Sequence, residues 1–246
     1  MTMILFLTSS PTGPLDNSRE VEGLDESNHF VENLWECWKP EMRCLYISAF
    51  PDNFEANDEI QQGMAQTFES CDFPIGAFDV WDDRTADFSW ETLHSYDLII
   101  LGGGHVPTEN AFFHRISLRE KIQGFDGVII GISAGTMNSA DTVYAQPEEP
   151  GEGADPDYER WLEGLGLTQR NVCPHYQMVK DFELDGMRLF EDITYQDSYG
   201  NEFISLPDGS YILSVDGQET IWGEAYLIKD GWIEQICENG QTLDIY

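Results

Sequence analysis

The sequence predicts an α/β fold: a mostly parallel, doubly wound sheet with helices on both faces, followed by a C-terminal part rich in β-hairpins. Three observations predict it. Short apolar runs alternate with amphipathic stretches through the first half of the chain. Two of those runs end in glycine clusters, "LIILGGGH" and "VIIGISAG". Beyond residue 202 the pattern changes to short strands punctuated by Asp-Gly. Continuous β-branched runs of this length belong to strands buried on both faces, and their alternation with helices implies parallel pairing.

The strands expected in order are "MILFL" (3–7), "RCLYISAF" (43–50), "IGAFDVW" (75–81), "DLIILGG" (97–103) and "GVIIGIS" (127–133). Helices are expected between them, at 25–38, 55–70, 86–95 and 108–123. The segment "PEEPGEGADPD" (147–157) reads as an exposed loop from its acids, prolines and glycines. "YERWLEGLGL" (158–167) is expected to form a short helix, and 184–192 a second. Asp-Gly pairs at 208–209, 216–217 and 230–231 mark turns, and "AYLIKDGWIEQIC" (225–237) has the alternation and two-residue turn of a β-hairpin. No linker or repeat divides the chain, so residues 1–246 are expected to form one domain.

Composition narrows the function classes. The 246 residues carry 46 acids against 12 bases, a formal charge of −34. Such a surface repels nucleic acid and anionic lipid, which disfavours both as partners. No apolar stretch approaches the roughly 18 residues that span a bilayer. The segment before the first loop lacks a basic n-region and has too short an apolar core for a signal peptide, so a cytoplasmic location is expected. The five cysteines are scattered without a C-x-x-C pair, which points to buried thiols rather than a disulfide framework or a zinc site.

Chemistry concentrates at the glycine-rich strand ends, where open α/β sheets place their sites. Gly131-Ile132-Ser133-Ala134-Gly135 has the G-x-S-x-G form of a nucleophile elbow. The plain alternative is a helix N-cap serine. A reactive hydroxyl needs a base. Of the five histidines, His175 in "NVCPHYQ" is the one that follows Ser133, and His105 directly follows the triple glycine. An acid orienting the imidazole is found in "ISLPDGSYI" at Asp208, a residue that Pro-Asp-Gly turn chemistry also explains. The triple glycine 102–104 lacks the features of a phosphate loop and suits an oxyanion hole instead.

Four pieces in this order, "LGGGH", "GISAGTMNSA", "CPHYQ" and "LPDGSYI", resemble the peptidase E (aspartyl dipeptidase) and cyanophycinase family of serine peptidases, whose fold is similar to class I glutamine amidotransferases. The resemblance covers roughly residues 1 to 237. It implies Ser133 as nucleophile, His175 as base and Asp208 as acid, where a family member carries Glu. It also implies oxyanion donors at Ala134 and at Gly103 or Gly104, and no metal or organic cofactor. The serine at the elbow disfavours amidotransferase activity, which uses cysteine. The order Ser, His, acid differs from that of α/β-hydrolases, for which Asp141, Asp155 or Asp157 would have to supply the acid. Glu202 and Asp216 are further alternatives to Asp208.

Aspartyl dipeptidases hold the substrate aspartate with an arginine in a Thr-Arg-Glu segment. Here Arg188 lies at a comparable distance without those flanks, and Lys180 and His105 are the other substrate-binding candidates. The expected function is hydrolysis of short peptides by an exopeptidase or dipeptidase, with loop 147–157 as a candidate lid. The alternatives are an esterase or amidase on non-peptide substrates, or an inactive binding protein on the same scaffold.

Overall fold

A computed structural model describes residues 3–12, 23–85 and 88–246. The five expected strands all form: β1 (Ile4–Thr8), β2 (Met42–Ile47), β3 (Ile75–Trp81), β4 (Leu98–Leu101) and β5 (Val128–Ile132). They pair in parallel in the order β1-β5-β4-β2-β3. Their register explains why the runs are apolar at every position. Leu5, Ile129, Ile99 and Leu45 lie side by side on one face. Phe6, Ile130, Ile100 and Tyr46 form the neighbouring row on the other. Every one of these side chains is buried, so both faces are covered.

The covering helices are α1 (Phe30–Cys37) and α2 (Phe54–Ser70), whose Phe30, Leu34 and Phe68 pack on the Phe6 face. On the Leu5 face lie α3 (Trp90–Leu93), α4 (Val106–Arg115) and α5 (Leu118–Ile122), through Leu93, Phe112, Phe113, Leu118 and Ile122. The helix expected at 25–38 starts as a 3₁₀ turn, Ser27–His29, and becomes α-helical only after His29, whose φ is 59°. The helix expected at 108–123 is two helices, broken where Ser117 takes φ 52°. Residues 86 and 87 of the helix expected at 86–95 lie outside the described residues. The remainder of that segment holds a single turn, α3, capped by Ser89.

After β5 come α6 (Ala134–Asn138), β6 (Thr142–Tyr144), β7 (Trp161–Glu163), β8 (Asn171–Cys173), α7 (Tyr176–Val179), β9 (Glu183–Leu184), β10 (Met187–Arg188) and α8 (Tyr195–Asp197). The C-terminal strands are β11 (Glu202–Ser205), β12 (Tyr211–Val215), β13 (Gln218–Trp222), β14 (Ala225–Lys229), β15 (Trp232–Cys237) and β16 (Thr242–Ile245). Antiparallel β12, β13 and β16 extend the parallel core to an eight-stranded sheet. A second sheet, β15-β14-β11-β8, contains the expected hairpin 225–237 and one parallel pair, β11 with β8.

One expected helix, 158–167, is not formed, and the one expected at 184–192 is helical only from Leu189. In 158–167, Trp161 to Glu163 are extended and pair antiparallel with β6, so tertiary pairing overrides local helix preference. In 184–192, Asp185 and Gly186 take φ of 54° and 79° and turn β9 into β10. This is the left-handed Asp-Gly geometry that also closes the hairpins at 216–217 and 230–231. A π-helix, Leu189–Thr194, comes next. All five cysteines are free thiols. No helix among the described residues is long and apolar enough to cross a membrane.

Beneath the β5–α6 turn, Glu109 of α4 is completely buried. Asn138 Nδ2 donates to its Oε2 at 2.8 Å, and Asn110 Nδ2 donates to Asn138 Oδ1 at 2.9 Å. Oε1 of Glu109 has no partner among the described residues. Burial pushes this carboxyl well above the ordinary glutamate range. The folded state therefore holds a proton that the unfolded state releases above about pH 4.3. The Glu109 contribution to stability falls as pH rises through the window between its unfolded and folded values, by up to about 1.4 kcal/mol per unit. Glu109→Gln keeps the oxygen that accepts from Asn138. Its stability relative to wild type should rise with pH above about 4.3 and make it the more stable form at neutral pH, as urea titrations at stepped pH would show. A variant no more stable than wild type at any pH would contradict this account.

Candidate active site

The site lies where carboxyl ends of strands from the two sheets meet. Ser133 follows β5, and Ser9 follows its parallel neighbour β1. His175 follows β8, and Asp208 follows β11, the parallel neighbour of β8. Two backbone hydrogen bonds are among those that hold these last two ends together. Leu206 N–H donates to Cys173 O at 3.0 Å, and Tyr176 N–H donates to Leu206 O at 3.1 Å.

Ser133 sits on a strained turn, with φ 50° and ψ −108°, a region that a non-glycine residue occupies only when its surroundings enforce it. The enforcement is visible. Ser133 N–H donates to Thr8 O at 3.2 Å, Thr136 Oγ1 donates to the same oxygen at 2.8 Å, and Gly135 N–H donates to Gly102 O at 2.9 Å. The flanking glycines are required by close approach. A Cβ on Gly131 would stand 2.8 Å from Thr136 Cα, and one on Gly135 would stand 2.4 Å from Leu101 O. The Ser133 side chain makes no N-cap hydrogen bond. It points to His175 instead.

His175 Nε2 lies 2.9 Å from Ser133 Oγ, and Nδ1 lies 2.7 Å from Asp208 Oδ1. The histidine is itself left-handed, at φ 58°, and its N–H donates to Ser9 Oγ at 2.7 Å. The Asp208 side chain is fully buried yet well satisfied. Besides the imidazole it accepts from Ser9 Oγ at 2.6 Å and from Gln177 Nε2 at 2.6 Å. Burial pushes the Asp208 carboxyl up, but hydrogen bonding and charge from His175, with Ser9 and Gln177, outweigh it and leave its pKa below the ordinary aspartate value. An ionised Asp208 can only accept, so Nδ1 of His175 carries the proton and Nε2 is free to accept from the Ser133 hydroxyl. Three groups far apart in sequence thus form one hydrogen-bonded chain, within the reach needed for proton transfer. The short aspartate side chain spans the gap to the ring.

The chain belongs to peptidase family S51. The family model matches residues 20–222, most of the sequence. Members are serine-type peptidases, so the protein is a hydrolase of that type. The fold is similar to a 1.5 Å crystal structure of a candidate peptidase E protein from Listeria monocytogenes EGD-e. That match has a TM-score of 0.51 and 16% identity, over 96% of this chain and 99% of the other. No curated protein matches the sequence.

The other expected residues divide. The N–H of Ala134 opens α6, where no intrahelical acceptor exists for it. Gly103 passes beside the elbow, a Cβ there standing 3.4 Å from Ser133 Cβ, and Gly104 lines the cleft in front of Ser133. Arg188, Lys180 and His105 do not line that cleft. Arg188 is exposed and bidentate on Asp192, with its Nη2 2.8 Å from Oδ1. Lys180 lies over the Tyr176 ring at 5.9 Å. His105 is clamped by Thr108 and Glu152, each at 2.7 Å. Of the alternative acids, Asp141 pairs with Arg119, Asp155 accepts from the Asp157 N–H, Glu202 pairs with Lys229, and Asp216 sits in its hairpin turn.

His105, Glu149 and Glu152 are the one group among the described residues with metal-like spacing, their donor atoms lying within 4.8 Å of one another. Within it His105 Nε2 pairs with Glu152 Oε1, and the Glu149 N–H donates to Glu152 Oε2. The loop 147–157 is pinned rather than free-standing. Asp185 accepts from the N–H groups of Gly151, Gly153 and Ala154, and Glu152 from those of Glu148 and Glu149. Ser9 and Glu148 lie at the site without any sequence motif having pointed to them, and Gln177 lay in the "CPHYQ" piece without a role assigned to it. The polar pair Ser9-Ser10 directly after a buried strand was the available signal for Ser9.

Since Asp208 titrates lower in the folded than the unfolded state, its pairing stabilises the fold above the unfolded value of about 3.9. That contribution is lost as pH falls through the folded value. Asp208→Asn should lower the denaturation midpoint at pH 7, and the deficit should shrink as pH drops below 4. A deficit independent of pH would show that charge pairing at Asp208 does not stabilise the fold. Ser9→Ala removes one donor to that carboxylate and the acceptor of the His175 N–H, and should cost about 1–3 kcal/mol by the same measurement.

Proposed function

We propose that the protein hydrolyses short peptides through an acyl-enzyme, as an exopeptidase or dipeptidase, with Ser133 as nucleophile, His175 as base and Asp208 as orienting acid. The observation that carries this reading is the continuous hydrogen-bonded chain from Ser133 Oγ through the imidazole to Asp208. As Ser133 Oγ attacks the scissile carbonyl carbon, its proton passes to His175 Nε2. The C=O bond opens to an oxyanion facing the Ala134 N–H and an N–H of the Gly103–Gly104 segment, each worth roughly 3–4 kcal/mol if aligned. Nε2–H then gives the proton to the leaving nitrogen as the C–N bond breaks. Water repeats the sequence on the ester: its proton goes to Nε2, its oxygen to the acyl carbon, and Ser133 leaves with the proton restored. Asp208 keeps the imidazole in the required tautomer and stabilises the imidazolium that forms twice per cycle.

Short substrates are favoured by the dimensions of the cleft, about 260 Å³, and by the pinned loop whose Glu148 stands at its edge. Ser133→Ala should lower turnover of a dipeptide library by roughly 10⁴-fold or more with an unchanged denaturation midpoint. Turnover surviving in that variant would remove Ser133 from the mechanism.

A further inference from the structure

The cleft beside Ser133 has an unusual wall for a site expected to hold an aspartyl side chain. Val106, Met137, Met178, Val179, Phe182 and Leu189 make most of its surface, and no lysine or arginine lines it. Met178 and Phe182 are 57% and 43% exposed, large apolar groups left open to solvent in a chain of charge −34. Exposed apolar surface gathered beside a reactive group is where an apolar ligand gains most on binding. One carboxyl group lines the cleft, that of Glu148, whose pKa burial raises above the ordinary glutamate value. Its Oε1 accepts from Val106 N–H at 3.0 Å, the first N–H of α4, and His105, Glu149 and Glu152 lie near enough to act on its charge. Arg188, the cation at the sequence position expected to pair with a substrate carboxylate, is already bidentate on Asp192.

We infer that the substrate is a peptide with an unblocked amino terminus and an apolar first residue, its ammonium group held by Glu148 and its side chain by the Val106–Met178–Phe182 wall; this rests on the proposed role of Ser133. In such a substrate the ammonium and the side chain leave the same carbon, next to the carbonyl under attack. One small cleft therefore has to serve both. An aspartyl side chain in the same place would be desolvated without a cation and would face Glu148 and a strongly negative surface. Acetylation of the amino terminus would remove the charge that Glu148 pairs with.

The test compares kcat/KM for leucyl, methionyl, aspartyl and N-acetyl-leucyl p-nitroanilides, and for dipeptides with leucine first or second, in wild type, Glu148→Gln and Ser133→Ala. Leucyl and methionyl substrates should exceed aspartyl by at least about tenfold, and free leucyl should exceed acetylated leucyl by a similar factor. Glu148→Gln retains an oxygen for the Val106 N–H, and should bring the free-to-acetylated ratio toward one, mainly through KM. An aspartyl preference, a ratio unchanged by Glu148→Gln, or an apolar preference confined to the second residue would overturn the inference while Ser133 dependence stands. Turnover that survives Ser133→Ala would instead overturn the underlying reading, and absence of turnover on every member would overturn both.

Discussion

The Asp208 carboxylate is the constraint on which the site depends. It is an anion with no exposed side-chain surface, and such a group is tolerated only when its acceptor sites are filled. Three donors fill them, from two distant parts of the chain: Ser9 after β1, and the His175 ring with Gln177 where β8 leads into α7. The main sheet supplies Ser9 and Ser133, and the second sheet supplies His175 and Asp208. Satisfying one buried charge therefore docks the two sheets in the register that brings the imidazole to the serine. Breaking any donor leaves part of a buried charge unpaired, which costs more than an ordinary surface hydrogen bond.

Backbone strain accompanies that docking. Ser133 and His175 both have positive φ, 50° and 58°, at a cost of order 1–3 kcal/mol each. Each is held by hydrogen bonds to the end of β1: Ser133 N–H to Thr8 O, and His175 N–H to Ser9 Oγ. The carboxyl end of the first strand is thus the common anchor of both strained residues. Two consecutive residues there, Thr8 and Ser9, set the direction of both side chains.

Much of this was legible in the chain, for identifiable reasons. The five parallel strands are continuous apolar runs because both faces of the sheet are buried, and the runs coincide with the strands to within a few residues. Ser133 was legible because its turn needs Gly131 and Gly135, which leave a pattern in sequence. Asp208 was ambiguous locally, since Asp-Gly also closes the hairpins at 216–217 and 230–231. Its own φ, unlike theirs, is not left-handed, and its side chain faces the imidazole. The fourth Asp-Gly, at 185–186, turns the first part of an expected helix into a hairpin. Residues 161–163 pair with 142–144 through a contact that no local pattern reveals. Ser9 and Gln177 were hidden for the same reason: their importance lies in a carboxylate 199 and 31 positions away.

The most direct measurement is the site of covalent capture by a fluorophosphonate. The reagent reacts with a serine whose proton a neighbouring base can take, whatever the natural substrate. Mass mapping of the labelled protein should place the adduct on Ser133, and labelling should be lost in His175→Ala while the fold remains intact. An adduct on another residue, or labelling of Ser133 that persists without the imidazole, would contradict the account.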